Sequence, residues 1–336
     1  MDKKRVIFCT KEHWPGVKYY LDSVKNVIVE NFRDQVEVGY FEIPPNGFNP
    51  SMIHLLKNHP PDFLFLGGWD ASIRNVVANV NKNKTKTFLE WCSPISQSEL
   101  GGEIMLFIDV INFMQLGMLN YVSVCLETDY QNLKGVHKGF TYSPICFDTA
   151  ELDKVKIERP DKQTLDCDLF CAANPRKNIF SQIMTLANFN EVKTHINFSR
   201  GEYIEATRRF LKNYEIHGWM TKAEYLNLIQ KMDFAMQVSF SESFNIAAAE
   251  HMYYGIPTIC SSFFPYVKGN KELESIMVKD PGNGEEIYDC IKNLISSKAK
   301  MEDLGAISRE LVIKKNNENK DILKELYSKL IFEEGI

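Results

Sequence analysis

Ser239–Ser262, SFSESFNIAAAEHMYYGIPTICSS, is the stretch whose reading decides the fold. It sets Glu242 and Glu250 on either side of a seven-residue interval that holds the small, featureless run Ala247-Ala248-Ala249. Ile256-Pro257-Thr258-Ile259-Cys260 follows Gly255 and is apolar and largely β-branched, which reads as a buried strand. The expected order is strand, sharp loop, helix, short turn, strand. Glu242 then falls in the loop, and the backbone N–H groups of Ser243, Phe244, Asn245 and Ile246 open the helix. Glu250 lies about two turns further on. Amides at a helix N-terminus suit phosphate or sugar oxygens, and a carboxylate on each side can grip a sugar ring and a ribose. Taken alone, the same spacing also describes two solvated helix carboxylates.

The context upstream weighs against that plain reading. Gly218-Trp219-Met220 leads into a helix through Tyr225, Leu228 and Ile229, then the strand Asp233–Val238, then Ser239-Phe240-Ser241-Glu242. With Glu242-Ser243-Phe244-Asn245, Glu250 and Gly255-Ile256-Pro257-Thr258 in order, the segment resembles a known family. It is similar to the C-terminal domain of retaining, nucleotide-sugar-dependent glycosyltransferases of the GT-B fold (glycosyltransferase family 4). The resemblance runs from about Leu169 to Leu311. It departs at Ser243 and Asn245, where the family has glycines, and at His251, where alanine is usual.

The resemblance implies an α/β fold of two Rossmann-like domains facing a cleft, and an enzyme that is a hexosyl- or pentosyltransferase. It implies that Glu250 accepts from ribose hydroxyls and Glu242 holds the transferred sugar. Ser243 to Ile246, Gly218 and Trp219 complete the donor site, and Gly16 lets the opposite domain's backbone approach the same phosphates. The family places an arginine and a lysine after the first strand of this domain, here Leu169–Ala173, where they neutralise the donor diphosphate. Arg176 and Lys177 occupy that turn, ahead of a helix expected over Ile179–Asn188. A solvated helix N-terminus is the alternative, but two cations there oppose the helix dipole, and a bound anion resolves the conflict. Retention of configuration, no metal and no cofactor beyond the nucleoside diphosphate sugar substrate are likewise implied.

Bulk properties fit two domains. A chain of 336 residues is long for one core. The net charge of −5 gives no electrostatic reason to expect a nucleic-acid partner. Eight cysteines without a C-x-x-C pair, most inside apolar runs such as Val6-Ile7-Phe8-Cys9, read as small hydrophobes in a reduced, cytoplasmic protein. No signal peptide or transmembrane segment is read. The most apolar run, Ile104–Leu119, carries Asp109, Asn112 and Gln115, is too short to span a bilayer, and is expected to be a core helix.

The first half alternates strand and helix signals, which argues for a parallel sheet covered on both faces. Strands are expected over Arg5–Thr10, Val36–Ile43, Phe63–Leu66, Thr85–Leu89, Tyr121–Leu126 and Thr141–Ile145, with Pro44-Pro45 closing the second. Residues 1–150 form an acceptor-binding domain, and Phe147–Lys162 a linker. Residues 163–320 form the nucleotide-sugar domain, and a helix over 321–336 packs back on the first.

All four tryptophans follow expected strands: Trp14, Trp69, Trp91 and Trp219. Ligands of open α/β sheets bind at the carboxyl ends of the strands, where an aromatic can stack on a sugar or a base; capping of the cores is the alternative. With His13, Asp70 and Glu90 in the same loops, Trp14, Trp69 and Trp91 are expected to form the acceptor wall of an interdomain cleft.

The reaction implied is glycosyl transfer from a nucleoside diphosphate sugar to an acceptor hydroxyl. Three alternatives stand beside it: a nucleotide-sugar epimerase of the same architecture, a non-enzymatic binding module, and a glycosyltransferase acting on a modified nucleic-acid base.

Overall fold

A computed structural model of the chain describes residues 3–44, 50–101, 103–157, 162 and 164–333. Pro45 of the expected strand-closing pair, Gln163 and residues 334–336 lie outside them. The chain divides into two compact units, residues 1–147 with 316–336, and residues 148–315.

The first unit alternates strand and helix. It runs β1 (Lys4–Lys11), α1 (Pro15–Phe32), β2 (Val36–Ile43), α2 (Pro50–Asn58), β3 (Phe63–Gly67) and α3 (Ala71–Asn79). It continues with β4 (Lys86–Trp91), α4 (Ile95–Gly101), α5 (Ile104–Gln115), β5 (Tyr121–Val124), α6 (Glu127–Leu133) and β6 (Phe140–Tyr142). The strands pair in the order β2-β1-β3-β4-β5-β6, all parallel. Apolar strands such as β3, Phe-Leu-Phe-Leu-Gly, are buried along their whole length, as a sheet covered on both faces requires. Phe8, Phe65, Phe88 and Tyr121 stack across four neighbouring strands, with ring centroids 5.0, 4.7 and 4.9 Å apart. The order reverses beside β1, which pairs with both β2 and β3.

The second unit holds α7 (Thr149–Leu152), β7 (Leu165–Leu169), a 3₁₀ turn (Pro175–Lys177), α8 (Ile179–Leu186), β8 (Val192–Ile196) and α9 (Gly201–Phe210). Then come β9 (Tyr214–Ile216), α10 (Lys222–Ile229), β10 (Phe234–Gln237), α11 (Ile246–Tyr253), β11 (Thr258–Ser261) and a second 3₁₀ turn (Glu274–Ile276). β12 (Met277–Val278) and α12 (Gly284–Ile295) close it. Its sheet, β12-β11-β10-β7-β8-β9, is also parallel and reverses between β7 and β10. Two parallel sheets alternating with helices make this a two-domain α/β architecture.

The last helix, α13 (Lys298–Phe332), starts well before residue 321, where the sequence reading has it begin. Its first part is counted with the second unit and its end with the first. There Tyr327 packs edge-on against Phe65, 5.5 Å between centroids, and Phe332 against Phe32 at 5.2 Å.

Two expectations change. The first strand of the second unit is Leu165–Leu169, not Leu169–Ala173. Asp166 and Asp168 made it look polar, but each is taken up by a distant histidine, His195 and His251. α5 is not buried all round: only Val110 and Met114 of its apolar residues are buried, and Met105 is 71% exposed. It lies on the outer layer with a narrow inward face.

Candidate functional site

Where the strand order of a parallel sheet reverses, the two diverging connections leave a crevice at the carboxyl ends of the strands. In the second unit that place is flanked by the chain leaving β7, which carries the Pro175–Lys177 turn, and the chain leaving β10, which carries Ser239–Glu242. Arg176 and Lys177 both reach across to Glu242. Arg176 Nη1 stands 2.9 Å from Glu242 Oε2 and donates to the Ser241 carbonyl at 3.0 Å, and the Lys177 ammonium pairs with Oε1. The Ser239 hydroxyl also donates to Oε1, at 2.7 Å. Burial alone would raise the Glu242 pKa, but the charges of Lys177 and Arg176 outweigh it and hold the carboxyl below its ordinary range. The cluster is thus two cations that share one buried carboxylate, with positive charge in excess.

Both loops are pinned from below. Gln182 of α8, which the sequence gave no reason to single out, donates to the Lys177 carbonyl at 2.8 Å and accepts from the Val238 N–H at 2.9 Å. The Phe240 N–H donates to the Arg176 carbonyl at 2.7 Å, and Ser261 bridges both backbone groups of Ser239. Arg176, Lys177 and Glu242 therefore hang from loops whose backbone is fixed.

Asn245 explains one departure from the family pattern. It takes the left-handed conformation (φ 60°) that glycine would favour, which asparagine tolerates best among the other residues. Its side chain then caps α11 by accepting from the Ala248 N–H at 3.2 Å. Ser243 is half-buried, and Phe244 is core, its ring 4.8 Å from Tyr266. Ile246 begins the helix.

Glu250 sits one turn into α11, 1% exposed and paired with Lys222 of α10. His251 accounts for another departure. Its Nε2 is 2.6 Å from Asp168 Oδ2 in β7, both residues fully buried, and its Nδ1 donates to the Ala247 carbonyl at 2.6 Å. Burial pushes its pKa down, but the Asp168 charge and these contacts win, so it is held above its ordinary value. The pair ties the helix that carries Glu250 to the strand that leads to Lys177. Gly218 and Trp219 follow β9, and Trp219 is 95% exposed. A Cβ at Gly218 would meet nothing within 4 Å.

In the first unit, the reversal beside β1 holds a cavity of about 460 Å³ lined by His13, Trp14, Gly16, Trp69, Asp70 and Trp91, among others. Trp14 lies under the Lys11 ammonium, 5.2 Å from the ring centroid, and Lys11 is 2.6 Å from Asp70 Oδ2. Asp70 Oδ1 caps α3 through the N–H groups of Ser72 and Ile73. Gly68 is demanded twice: its φ is 74°, and a Cβ would stand 2.5 Å from the Trp14 ring. The Trp69 indole donates to Asp109 at 2.9 Å, whereas the buried Trp91 indole N–H has no hydrogen-bond partner among the described residues. Gly16 lies in the first turn of α1, and a Cβ there would meet open space.

Glu90 is not with them. It faces the core, fully buried, and accepts from Tyr327 at 2.8 Å and Tyr20 at 3.1 Å. Burial pushes its pKa up to about 7, against the opposing pull of those hydroxyls. A carboxylate at a strand's end looked like a ligand contact because both tyrosines are remote in sequence.

Residues 202–311 match a family model described as glycosyl transferases group 1. Among solved structures, HepE of Anabaena in complex with UDP and glucose is 11% identical, with a TM-score of 0.71 over 97% of this chain and 100% of that one. Sucrose-phosphate synthase from Thermosynechococcus elongatus is 13% identical, with a TM-score of 0.72 over 98% and 99%. TarM of S. aureus in a complex containing UDP is 14% identical, with a TM-score of 0.61 over 81% of this chain, which spans 58% of that protein's length. No curated protein sequence matches the chain. The fold is the two-domain GT-B architecture of these neighbours, and about a third of the chain, residues 202–311, carries the glycosyl transferases group 1 match. No helix among the described residues is long and apolar enough to cross a membrane.

Proposed function

We propose that the protein transfers a sugar from a nucleoside diphosphate sugar, with UDP as the nucleotide, to an acceptor hydroxyl, retaining anomeric configuration. The observation that carries this reading is the placement of Arg176, Lys177 and Glu242 at the strand-order reversal of the second unit. UDP is suggested by the complexes of HepE and TarM.

The leaving group is a diphosphate, so the main task is to stabilise negative charge that grows as the glycosidic bond breaks. Lys177 and Arg176 supply two positive charges, and the Asn245 and Ile246 amides add fixed dipoles. In the free protein Glu242 occupies the cations. A diphosphate carries more charge and takes them over, which releases the Glu242 carboxylate for the hydroxyls of the transferred sugar. Glu250, held by Lys222, accepts from the ribose hydroxyls. With two cations at the diphosphate, the chemistry runs without a metal or cofactor. The cavity at Trp14, Trp69 and Trp91 takes the acceptor, with stacking on the rings. The protein acts in the cytoplasm, a reading supported by eight cysteines without a C-x-x-C pair.

A thermal-shift panel of nucleoside diphosphates and their sugars tests this. A ligand at a hundred times its dissociation constant adds about 2.7 kcal/mol of stability. UDP and one UDP-sugar should raise the melting temperature; a panel without any shift contradicts the proposal. Formation of an isomerised sugar nucleotide without acceptor would point to an epimerase instead.

A further inference from the structure

We propose that the edge of the second sheet carries a divalent-metal site of the zinc type, built from His195, Glu215 and His217. Among the described residues these three bring their donor atoms within 4.8 Å of one another. The sheet explains why. β8 and β9 pair in parallel with His195 opposite Glu215, and side chains two apart share a face of a strand. His217 lies just beyond β9, but its N–H still donates to the Ile196 carbonyl at 2.7 Å, so the ladder extends to it. Both imidazoles and the carboxylate therefore project from one side.

The spacing suits a metal. His195 Nδ1 and His217 Nε2 are 2.9 Å apart, and Glu215 oxygens stand 3.9 Å from the first and 3.8 Å from the second. Bonds of about 2.0–2.2 Å in a tetrahedron set donors about 3.3–3.6 Å apart, a change that small rotations of these side chains supply. A second carboxylate stands behind. Asp166 Oδ1 is 3.1 Å from His195 Nε2, the arrangement in which a carboxylate accepts one ring N–H and leaves the other nitrogen free to ligate. Asp166 is itself held by Lys162, 2.5 Å away. Two imidazoles and one carboxylate are a donor set for zinc. Two contacts compete with the metal and would be displaced: the His195 Nδ1–His217 Nε2 hydrogen bond and Lys193, whose ammonium is 2.6 Å from Glu215 Oε2. None of the three ligands is assigned to the donor, and such a metal would clip the three-residue edge strand β9 to β8.

The test is titration of the full-length protein with Co²⁺, followed by its visible absorption, and with Zn²⁺ in competition. One equivalent should bind. Glu215→Gln, on an exposed side chain, and His217→Ala should each lower affinity by about tenfold or more, and Asp166→Asn by about 10–100-fold. Lys193→Met should tighten binding. Zn²⁺ should raise the melting temperature of the wild type and not that of Glu215→Gln. Absence of stoichiometric binding in the wild type overturns the proposal. So does binding unchanged in both Glu215→Gln and His217→Ala, provided circular dichroism shows both folded.

Discussion

Replacing Lys177 by alanine separates a charge that stabilises the reaction from one that merely binds. Its ammonium pairs with a buried carboxylate at the end of a pinned loop, so its position does not depend on the ligand. A unit of negative charge arising on the diphosphate about 4 Å away interacts with it by about 4 kcal/mol at an effective dielectric of about 20. That agrees with the roughly 10²–10³-fold loss of kcat, about 2.7–4 kcal/mol, found when one preorganised stabiliser is removed. Lys177→Ala should therefore lower kcat by two to three orders of magnitude, with a much smaller rise in KM for the donor. The loop should survive, because Glu242 keeps Arg176 at 2.9 Å and Ser239 at 2.7 Å. Release of nucleoside diphosphate from the donor found in the thermal-shift panel is the assay, with Lys177→Arg as the charge-keeping control. Wild-type turnover in Lys177→Ala, or a loss confined to KM, refutes the reasoning, and the Pro175–Lys177 turn is then not the diphosphate site.

Glu242→Ala should not weaken nucleoside diphosphate binding, since it frees two cations, while turnover falls sharply; equal loss of both in calorimetry and kinetics contradicts the role given to it. Glu90 tests the core. A carboxyl raised from 4.5 to about 7 on folding stabilises the protein below about pH 4.5 and loses that contribution as pH climbs to about 7, a few kcal/mol in all. Glu90→Gln should flatten the fall in urea midpoint across that window, and an unaltered pH profile contradicts it. His251 is raised as well, so the stability from its charged form is present below its ordinary 6.5 and lost as pH rises through the higher folded value. His251→Leu leaves Asp168 buried and uncompensated and should cost about 3–5 kcal/mol, read as a lowered melting temperature; an unchanged one contradicts the pairing.

What could be read from the chain divides along physical lines. Strands such as Phe63–Gly67 are apolar throughout because both faces are covered, so their pattern shows in the sequence. Leu165–Leu169 hid because its polar residues are satisfied by partners 29 and 83 residues away, His195 from Asp166 and His251 from Asp168. The same blindness affected Glu90, whose partners lie 70 and 237 residues off. Arg176, Lys177 and Glu242 were legible as a motif, but their mutual pairing was not, since like the His195–Glu215–His217 cluster it depends on which strands are neighbours. Spacing along the chain carries periodicity and turn chemistry; it does not carry strand order.

The account rests most directly on a nucleoside diphosphate lying along Lys177 and against Glu250. Isothermal titration of UDP into the wild type and into Glu250→Ala measures that contact without needing the acceptor. A buried carboxylate that accepts from ribose hydroxyls contributes about 1–3 kcal/mol, so the variant should bind UDP about five- to 150-fold more weakly. Equal affinity in the two proteins, each folded, would contradict the placement of the donor.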